Sequence, residues 1–364
     1  MQELRGGYTT GACAAAGVKA ALLFEAGVVP SEVELTALDG TILTIPVKHT
    51  EEVPEGIRAE IVKFSGDDPD ITNGVSVFTT VRHLPNETSI KFKAGIGIGR
   101  VTKPGLSVPV GEPAINPGPR QLIQNAVTEI LGEKAGLEVT ISIPAGVELA
   151  KRTLNPILGV EGGLSVIGTT GVLRPMSEEA FKNSLVPQID VAKAAGYDSL
   201  VFVPGKIGER IAVKYGLPTE AIVQTSNFIG FMLEAAAKRE IRQVLLFGHI
   251  GKLAKVAAGV FYTHNRIADG RMETLAAYAA AEGLPSEGVR RILACATTED
   301  AMTVLEEYKL QRVYRILTEQ ASLRARRYIF NEMEIGTLMV TLDGRILGMD
   351  ETARKIGGEF HWKL

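Results

Sequence analysis

Cysteine is nearly absent from this sequence. Only Cys13 and Cys295 occur among 364 residues, and neither belongs to a CxxC pair or to a cysteine and histidine cluster with metal-ligand spacing. This argues against a structural zinc site and favours a reducing compartment. No uninterrupted apolar run approaches the ~20 residues that span a bilayer, and the N-terminus lacks an apolar signal segment. We therefore expect a cytoplasmic protein that is neither secreted nor embedded in a membrane.

The sequence also lacks a large excess of positive or negative charge. The 39 lysine and arginine residues nearly balance the 42 aspartate and glutamate residues, which gives a formal net charge of -3. Without a global basic field we expect no nucleic-acid partner, and local cations must meet any anionic ligand. The 364 residues, 45% of them hydrophobic, are enough for about two domains, each with its own core.

The first half of the sequence predicts an α+β domain over residues 1–160, with a mainly antiparallel sheet. A glycine-rich segment leads into an alanine-rich helix at residues 12–26, with Thr9 or Thr10 as its N-cap. Asp39-Gly40 lies between two strand-like runs and is typical of a tight hairpin turn. Runs rich in β-branched residues predict further strands at 57–64, 74–82 and 89–94.

The second half predicts a Rossmann-like α/β domain over residues 161–364. Short apolar strands alternate with helix-length segments, which is typical of a parallel sheet covered on both faces. The predicted strands are 164–167, 199–203, 221–224 and 243–247, and the helical segments between them are 177–195, 206–215 and 228–239. Further helices are expected over 270–330, followed by a hairpin at 337–347 around Asp343-Gly344.

Short loops follow the predicted strands of this domain, at the strand ends where open parallel sheets bind ligands. They begin at Gly168, Pro204, Thr225 and Gly248. Small and polar residues there let a ligand approach backbone N–H groups and helix N-termini, which suit carboxylates and phosphates. Turn chemistry alone would explain any one of these loops, but the four together favour a binding site.

Two of the five histidines have chemically suggestive surroundings. His249 follows the strand at 243–247, and His264 lies in the segment Tyr-Thr-His-Asn-Arg. Both are candidate catalytic residues because imidazole moves a proton near neutral pH, although a lone histidine more often has a structural role.

Two familiar phosphate-binding motifs are not matched. Of the glycines at 95, 97 and 99, the third comes one residue too early for the G-x-G-x-x-G dinucleotide fingerprint. Gly251-Lys252 lacks both the earlier glycine of a Walker A loop, where Leu246 stands, and the hydroxyl after the lysine, where Leu253 stands.

The middle of the chain is dense in proline, glycine and cations. These segments are residues 99–105, 113–120 and 148–156. Loops stiffened by proline that carry arginine and lysine suit a polycarboxylate ligand, because little entropy is lost on binding. The alternative is a set of solvated, stiff connections.

Several of these segments together resemble the cobalt-precorrin-5B C-1-methyltransferase family of anaerobic cobalamin biosynthesis. The resemblance lies in residues 4–16, 99–120, 143–156, 168–171 and 247–253, in the same order. It extends to about residue 266, and small departures such as Ala12 and Gly118 remove no charged or ring side chain.

The resemblance implies methylation of ring carbon 1 of cobalt-precorrin-5B by S-adenosylmethionine, giving cobalt-precorrin-6A, with cobalt only as part of the substrate. We expect the methyl donor to contact Gly168, Thr169, Thr170, Gly171, Thr225, Ser226 and Gly248. We expect the corrinoid to contact Thr9, Thr10, Arg100, Lys103, Asn116, Arg120, Lys151 and Asn155. We expect no metal held by the protein itself.

Two other classes of function are alternatives. One is a corrinoid carrier or scaffold that binds the tetrapyrrole but not the methyl donor. The other is a kinase or transferase in which residues 6–11 and the following helix hold a phosphate. The sequence leaves open whether the chain forms a homo-oligomer.

Overall fold

The computed structural model describes residues 4–363 of the chain. The chain separates into two compact units with the boundary between Glu178 and Glu179. We call them unit 1 and unit 2 and describe each by itself. None of the helices within residues 4–363 is both long and apolar enough to cross a membrane.

Unit 1 combines small sheets with two longer helices. Its strands are β1 (Gly7–Tyr8), β2 (Glu32–Thr36), β3 (Ile42–Pro46), β4 (His49–Val53), β5 (Gly56–Val62), β6 (Ser76–His83), β7 (Ile90–Ala94), β8 (Arg100–Val101), β9 (Leu137–Ser142), β10 (Val160–Glu161) and β11 (Val172–Leu173). Its helices are α1 (Thr10–Glu25), α2 (Pro117–Leu131), α3 (Gly146–Leu149) and α4 (Asn155–Leu158).

Helix α1 is the centre of the unit 1 core. Thr9 caps it by accepting a hydrogen bond from the Ala12 N–H, as the sequence predicts. Small residues let α1 approach the sheet closely: a Cβ on Gly17 would lie 2.7 Å from the Thr79 hydroxyl oxygen. The alanine-rich composition is therefore explained by close packing against β5, β6 and α2.

The main sheet of unit 1 has the order β4-β5-β6-β9-β7. Strands β4, β5, β6 and β9 pair antiparallel, whereas β7 pairs parallel with β9. The predicted hairpin around Asp39-Gly40 is confirmed, because β2 and β3 pair antiparallel with Thr36 opposite Ile42.

The strand predicted at residues 164–167 does not belong to a parallel sheet of the second half. Leu164 instead bridges Ile98, and Val166 bridges Ile115, both within unit 1. Strand β11 also pairs with β1. The boundary between the units accordingly follows Glu178, 18 residues later than the predicted boundary after residue 160. An apolar run indicates burial but does not specify its partner, which explains the wrong assignment.

Unit 2 alternates strands and helices. Its strands are β12 (Ser199–Val203), β13 (Ile222–Gln224), β14 (Gln243–His249), β15 (Glu334–Val340) and β16 (Ile346–Met349). Its helices are α5 (Glu178–Leu185), which starts at the boundary, α6 (Pro187–Ala194), α7 (Lys206–Lys214), α8 (Ile229–Ala237), α9 (Ile250–Ala257), α10 (Arg271–Ala281), α11 (Ser286–Leu293), α12 (Thr298–Glu307), α13 (Arg312–Tyr328) and α14 (Glu351–Glu359).

The sheet of unit 2 has the order β13-β12-β14-β15-β16. Strands β12 to β15 are parallel, and β16 closes the edge antiparallel to β15. The predicted hairpin at 337–347 is therefore present, but its first strand is also a parallel member of the sheet, which the sequence did not reveal. The chain passes from β12 to β13 on one side and then to β14 on the other, so the strand order reverses between β12 and β14.

Helices cover this sheet on both faces. Val201, Leu245 and Phe247 face α7 and α14 in one apolar cluster. The side chains between them point to the opposite face, where α9 and α13 contact β14 and β15. This double coverage explains why β12 and β14 consist almost entirely of buried apolar residues.

Candidate functional site

The carboxyl edge of the unit 2 sheet carries a strained residue. Thr225 follows β13, is fully buried and donates its hydroxyl to the Val203 carbonyl at 3.4 Å. The next residue, Ser226, has φ +52°, in the left-handed region that few non-glycine residues adopt. Such strain is found preferentially where a site requires a particular backbone direction.

His249 ends β14 and begins α9 at the same edge. Its Nδ1 accepts a hydrogen bond from the Gly251 N–H at 3.1 Å, so the imidazole is the N-cap of the helix. Its Nε2 lies 2.8 Å from Glu299 Oε1. Because Nδ1 accepts, Nε2 carries the proton and donates it to the carboxylate. Both ring nitrogens are therefore engaged within the protein.

Glu299 is kept ionised beside this imidazole. Burial opposes ionisation, but its own backbone N–H, His249 and the Thr298 hydroxyl together lower the pKa of Glu299. Glu299 lies 50 residues after His249 in the sequence, so no local motif indicated this pair.

Lys252 and Lys255 lie on α9 and contact the neighbouring loops. The Lys252 ammonium donates to the Asn227 side-chain carbonyl, and burial together with Lys255 lowers the pKa of Lys252. Lys255 is 1% exposed. It donates to the Thr263 carbonyl at 3.2 Å, to Asn265 Oδ1 at 2.6 Å and to the Ala268 carbonyl at 2.9 Å.

Lys255 thereby holds the loop of residues 263–268 against α9. The second candidate histidine, His264, lies on this loop, where its Nδ1 accepts from the Arg266 N–H at 3.2 Å. The Thr263 N–H donates to the Asn227 carbonyl at 2.9 Å, which joins the same loop to the end of β13. The structure thus brings the loop that follows β13 and the helix α9 together with the His264 loop.

Gly248, predicted to contact the methyl donor, has a packing role in the structure. A Cβ at this position would lie 2.8 Å from Pro204 Cδ. The glycine therefore permits close contact between β14 and the loop that follows β12.

The segment 168–171 lies in unit 1, so its predicted position at the strand ends of the second domain is wrong. Gly168, at φ +136°, is in close contact with Thr9, where a Cβ would lie 2.3 Å from the Thr9 hydroxyl oxygen. The Thr170 carbonyl accepts from the Leu38 N–H at 2.7 Å, and the Gly171 carbonyl accepts from the Thr9 N–H at 2.9 Å. The residues predicted for the methyl donor therefore divide between the two units.

The start of α1 is not an open anion site. The Gly11 N–H donates to the Ile167 carbonyl at 3.0 Å, and the Ala12 N–H donates to Thr9 Oγ1 at 3.2 Å. The Thr10 hydroxyl accepts from the Ile167 N–H at 3.0 Å. These contacts count against the phosphate-binding alternative, since the Gly11 and Ala12 N–H groups already have acceptors within the protein. Thr9 and Thr10, predicted to contact the corrinoid, are also buried.

The cationic loops of unit 1 do come together. Strand β8 pairs with β10, and the Thr102 N–H donates to the Gly159 carbonyl at 2.7 Å. Arg100 donates to the Gly111 carbonyl at 2.9 Å, and the stem of Lys103 lies against Gly159. This assembly presents cations on a backbone held by hydrogen bonds between the two loops.

The remaining predicted contacts in these loops have different environments. Lys151 forms an exposed ion pair with Glu148 at 2.7 Å. The Asn155 side chain donates to the Gly163 carbonyl at 3.1 Å and so fixes the turn. Asn116 is the N-cap residue of α2, but its side chain forms no capping hydrogen bond in the described structure.

Unit 1 contains at least two cavities. One, of about 350 Å³, is lined by Phe92, Ser107, Val108, Pro109, Pro117, Arg120, Gln121 and Gln124. The other, of about 600 Å³, is mostly apolar and includes Tyr8, Lys48, Lys63 and Phe64 in its wall. Of these residues, the sequence pointed to Arg120 alone as a contact for the ligand.

Lys63 is a buried cation that sequence reasoning missed. It is 2% exposed and donates to Ser65 Oγ at 2.6 Å and to Asp70 Oδ2 at 2.7 Å. Burial opposes ionisation of Asp70, but its hydrogen bonds with Lys63 and Thr72 lower the pKa of this carboxyl. The charges of Lys63 and Asp70 neutralise each other, which favours a structural role for the pair.

A parallel sheet with polar groups and a strained residue at its carboxyl edge, together with a unit that bears cationic loops, is typical of α/β enzymes that bind small molecules. Family models described as "CbiD" and "CbiD, C-terminal domain" match residues 1–175 and 262–351. The chain belongs to the CbiD family of cobalt-precorrin-5B C(1)-methyltransferases.

Similar proteins match almost the whole chain. A cobalt-precorrin-5B C(1)-methyltransferase of Moorella thermoacetica is 51% identical over 99% of this chain and 99% of that protein. One from Methanocaldococcus jannaschii is 44% identical over 94% of this chain and 95% of that protein. A crystal structure of a cobalamin biosynthesis protein from Archaeoglobus fulgidus is 27% identical over 74% of this chain and 84% of that chain, with a TM-score of 0.38.

Proposed function

We propose that this chain transfers a methyl group from S-adenosylmethionine to ring carbon 1 of cobalt-precorrin-5B, giving cobalt-precorrin-6A and S-adenosylhomocysteine. The observation that carries the proposal is the similarity to methyltransferases of that name over the full chain. The sulfonium donates its methyl group by in-line displacement. The main contribution of the enzyme is then to align sulfur, methyl and ring carbon, which is worth several kcal/mol.

In this proposal unit 2 is a Rossmann-like domain that binds the methyl donor at its carboxyl edge. The strand order reverses between β12 and β14, the place where open α/β sheets bind ligands. At Gly205 a Cβ would meet no atom within 4 Å, so a ligand can approach the start of α7 there. The Lys252 ammonium lies at the same edge and suits the carboxylate of the donor's amino-acid part.

We assign the corrinoid to the cationic loops of unit 1. A cobalt-precorrin carries many acetate and propionate arms, which local cations can bind although the net charge of the chain is -3. Arg100 and Lys103 lie on the hydrogen-bonded loop assembly, and Lys151 lies in the third cationic segment, residues 148–156. Neutralising Lys103 or Lys151 should therefore weaken corrinoid binding more than donor binding.

Calorimetry with S-adenosylhomocysteine tests the donor site. Lys252→Met removes the cation but keeps an apolar stem, and it should weaken binding at least tenfold, the equivalent of one charge-assisted contact. Thr169→Val is the matched control at the former candidate segment in unit 1, and it should leave the dissociation constant unchanged. Thr169 is preferred over Gly171, where φ +101° would strain a valine.

The opposite result, a loss for Thr169→Val and none for Lys252→Met, would place the donor in unit 1. A wild-type chain that binds a corrinoid but not S-adenosylhomocysteine would instead be a carrier.

A further inference from the structure

The smaller cavity of unit 1 contains an arginine whose orientation is fixed. The Arg120 guanidinium lies over the Phe92 ring, with its central carbon 5.0 Å from the ring centroid. Its Nε donates to the Ile115 carbonyl at 2.9 Å. A guanidinium carries five N–H donors, so most of them remain available after these contacts. A planar cation held in this way loses little freedom on binding a carboxylate.

The nearest carboxylate neutralises this arginine only weakly. Glu112 Oε2 lies 3.5 Å from Arg120 Nη2, at the limit of a hydrogen bond, and the Glu112 side chain is 50% exposed. Exposed ion pairs of this kind contribute little free energy. An incoming anion would therefore compete with Glu112 and not with a buried partner.

The rest of the cavity wall combines apolar and amide groups. Val108, Pro109 and Pro117 provide apolar surface, and Gln121 and Gln124 lie beside Arg120. The volume of about 350 Å³ is near the lower end of the roughly 300–1,000 Å³ of sites that enclose whole small molecules. The cavity is thus large enough to hold one arm of a larger ligand.

We propose that this cavity binds a single alkyl carboxylate arm of the corrinoid, with Arg120 as its anion partner and Phe92 as the support of the guanidinium. This inference rests on the proposed function for the identity of the ligand. The same chemistry exists in the amino-acid carboxylate of the methyl donor, so the test must separate the two sources.

The test measures binding of dicyanocobyrinic acid, which has free carboxylate arms, and of its fully methyl-esterified form. The wild-type chain should bind the acid more tightly than the ester. Arg120→Gln should weaken acid binding about 10- to 100-fold and leave ester binding nearly unchanged. The difference in acid affinity between the wild type and the variant should shrink as the salt concentration rises.

Two matched variants sharpen the test. Glu112→Gln removes the competing carboxylate and should strengthen acid binding. Lys91→Gln removes a cation next to Phe92 in sequence but on the opposite side of β7, and it should change neither affinity.

Equal affinity of the wild-type chain for acid and ester would overturn the proposal, and so would equal losses for both in Arg120→Gln. Weakened S-adenosylhomocysteine binding with unchanged acid binding would assign Arg120 to the donor and overturn it as well. Methyl transfer is measured separately. A chain without that activity whose acid binding depends on Arg120 would refute the proposed function but not this site.

Discussion

At the scale of single residues, Cys13 shows how burial sets reactivity. It is fully buried in α1, and burial raises the pKa of its thiol to about 12, with Lys63 offsetting only part of the effect. Burial likewise raises the pKa of Tyr8 to about 12. Both groups therefore remain neutral in the folded chain where they would ionise in the unfolded chain.

This makes folding sensitive to alkaline pH. The unfolded thiol loses its proton near pH 8.5, whereas the folded one keeps it, so the free energy of unfolding falls as pH rises from there toward about 12. Tyr8 adds to the decline above about pH 10. Denaturant titrations should show a shallower decline between about pH 8 and pH 10 for Cys13→Ala than for the wild type. Parallel declines would contradict the assignment.

The sequence could identify some of these residues but not their partners. Arg120 was predicted as a ligand contact because it ends a segment rich in proline and glycine. Lys63 and Lys252 were missed, since burial of a lysine is set by packing that no short pattern encodes. Glu299 was missed because its contact with His249 joins residues far apart in the sequence.

At the scale of elements, His249 connects the strand β14 to the helix α9. The geometry favours the helix cap over proton transfer, because neither ring nitrogen is free. His249→Ala should destabilise the chain by about 1 kcal/mol through loss of the helix cap. His249→Asn should retain most of this stabilisation, because asparagine is itself a good N-cap residue. Thermal unfolding of both variants measures this difference.

Single-turnover methyl transfer in the same variants tests the catalytic alternative. We expect the rate of His249→Asn to lie close to that of the wild type at saturating concentrations of both ligands. A fall of about 10²- to 10⁴-fold would show that His249 transfers a proton.

Helix ends and turns were predicted correctly where the sequence signal lies within a few adjacent residues. The Thr9 cap and the turn at Asp39-Gly40 each depend on a few adjacent residues, and both are confirmed. The run at 164–167 was assigned to the wrong sheet because its partners, Ile98 and Ile115, lie about 50 residues or more away. The hairpin of β15 and β16 was predicted, but the parallel pairing of β15 with β14 was not, because it joins residues even farther apart in the sequence.

At the scale of the whole molecule, the order of motifs carried more information than any motif alone. The glycine spacing at 95–99 and Gly251-Lys252 match no phosphate fingerprint. The order of the segments between residues 4 and 266 nevertheless predicted the family, which the family models and the similar proteins confirm. The unit to which residues 168–171 belong could not be predicted in this way, since they proved to be part of unit 1.

The most direct test of the account follows the methyl group itself. The chain is incubated with cobalt-precorrin-5B and S-adenosylmethionine labelled with carbon-13 in its methyl group, and the product is examined by mass spectrometry and NMR. We expect one labelled methyl group on ring carbon 1 and an equal amount of S-adenosylhomocysteine. A label on another ring carbon, or no transfer although both ligands bind, would contradict it.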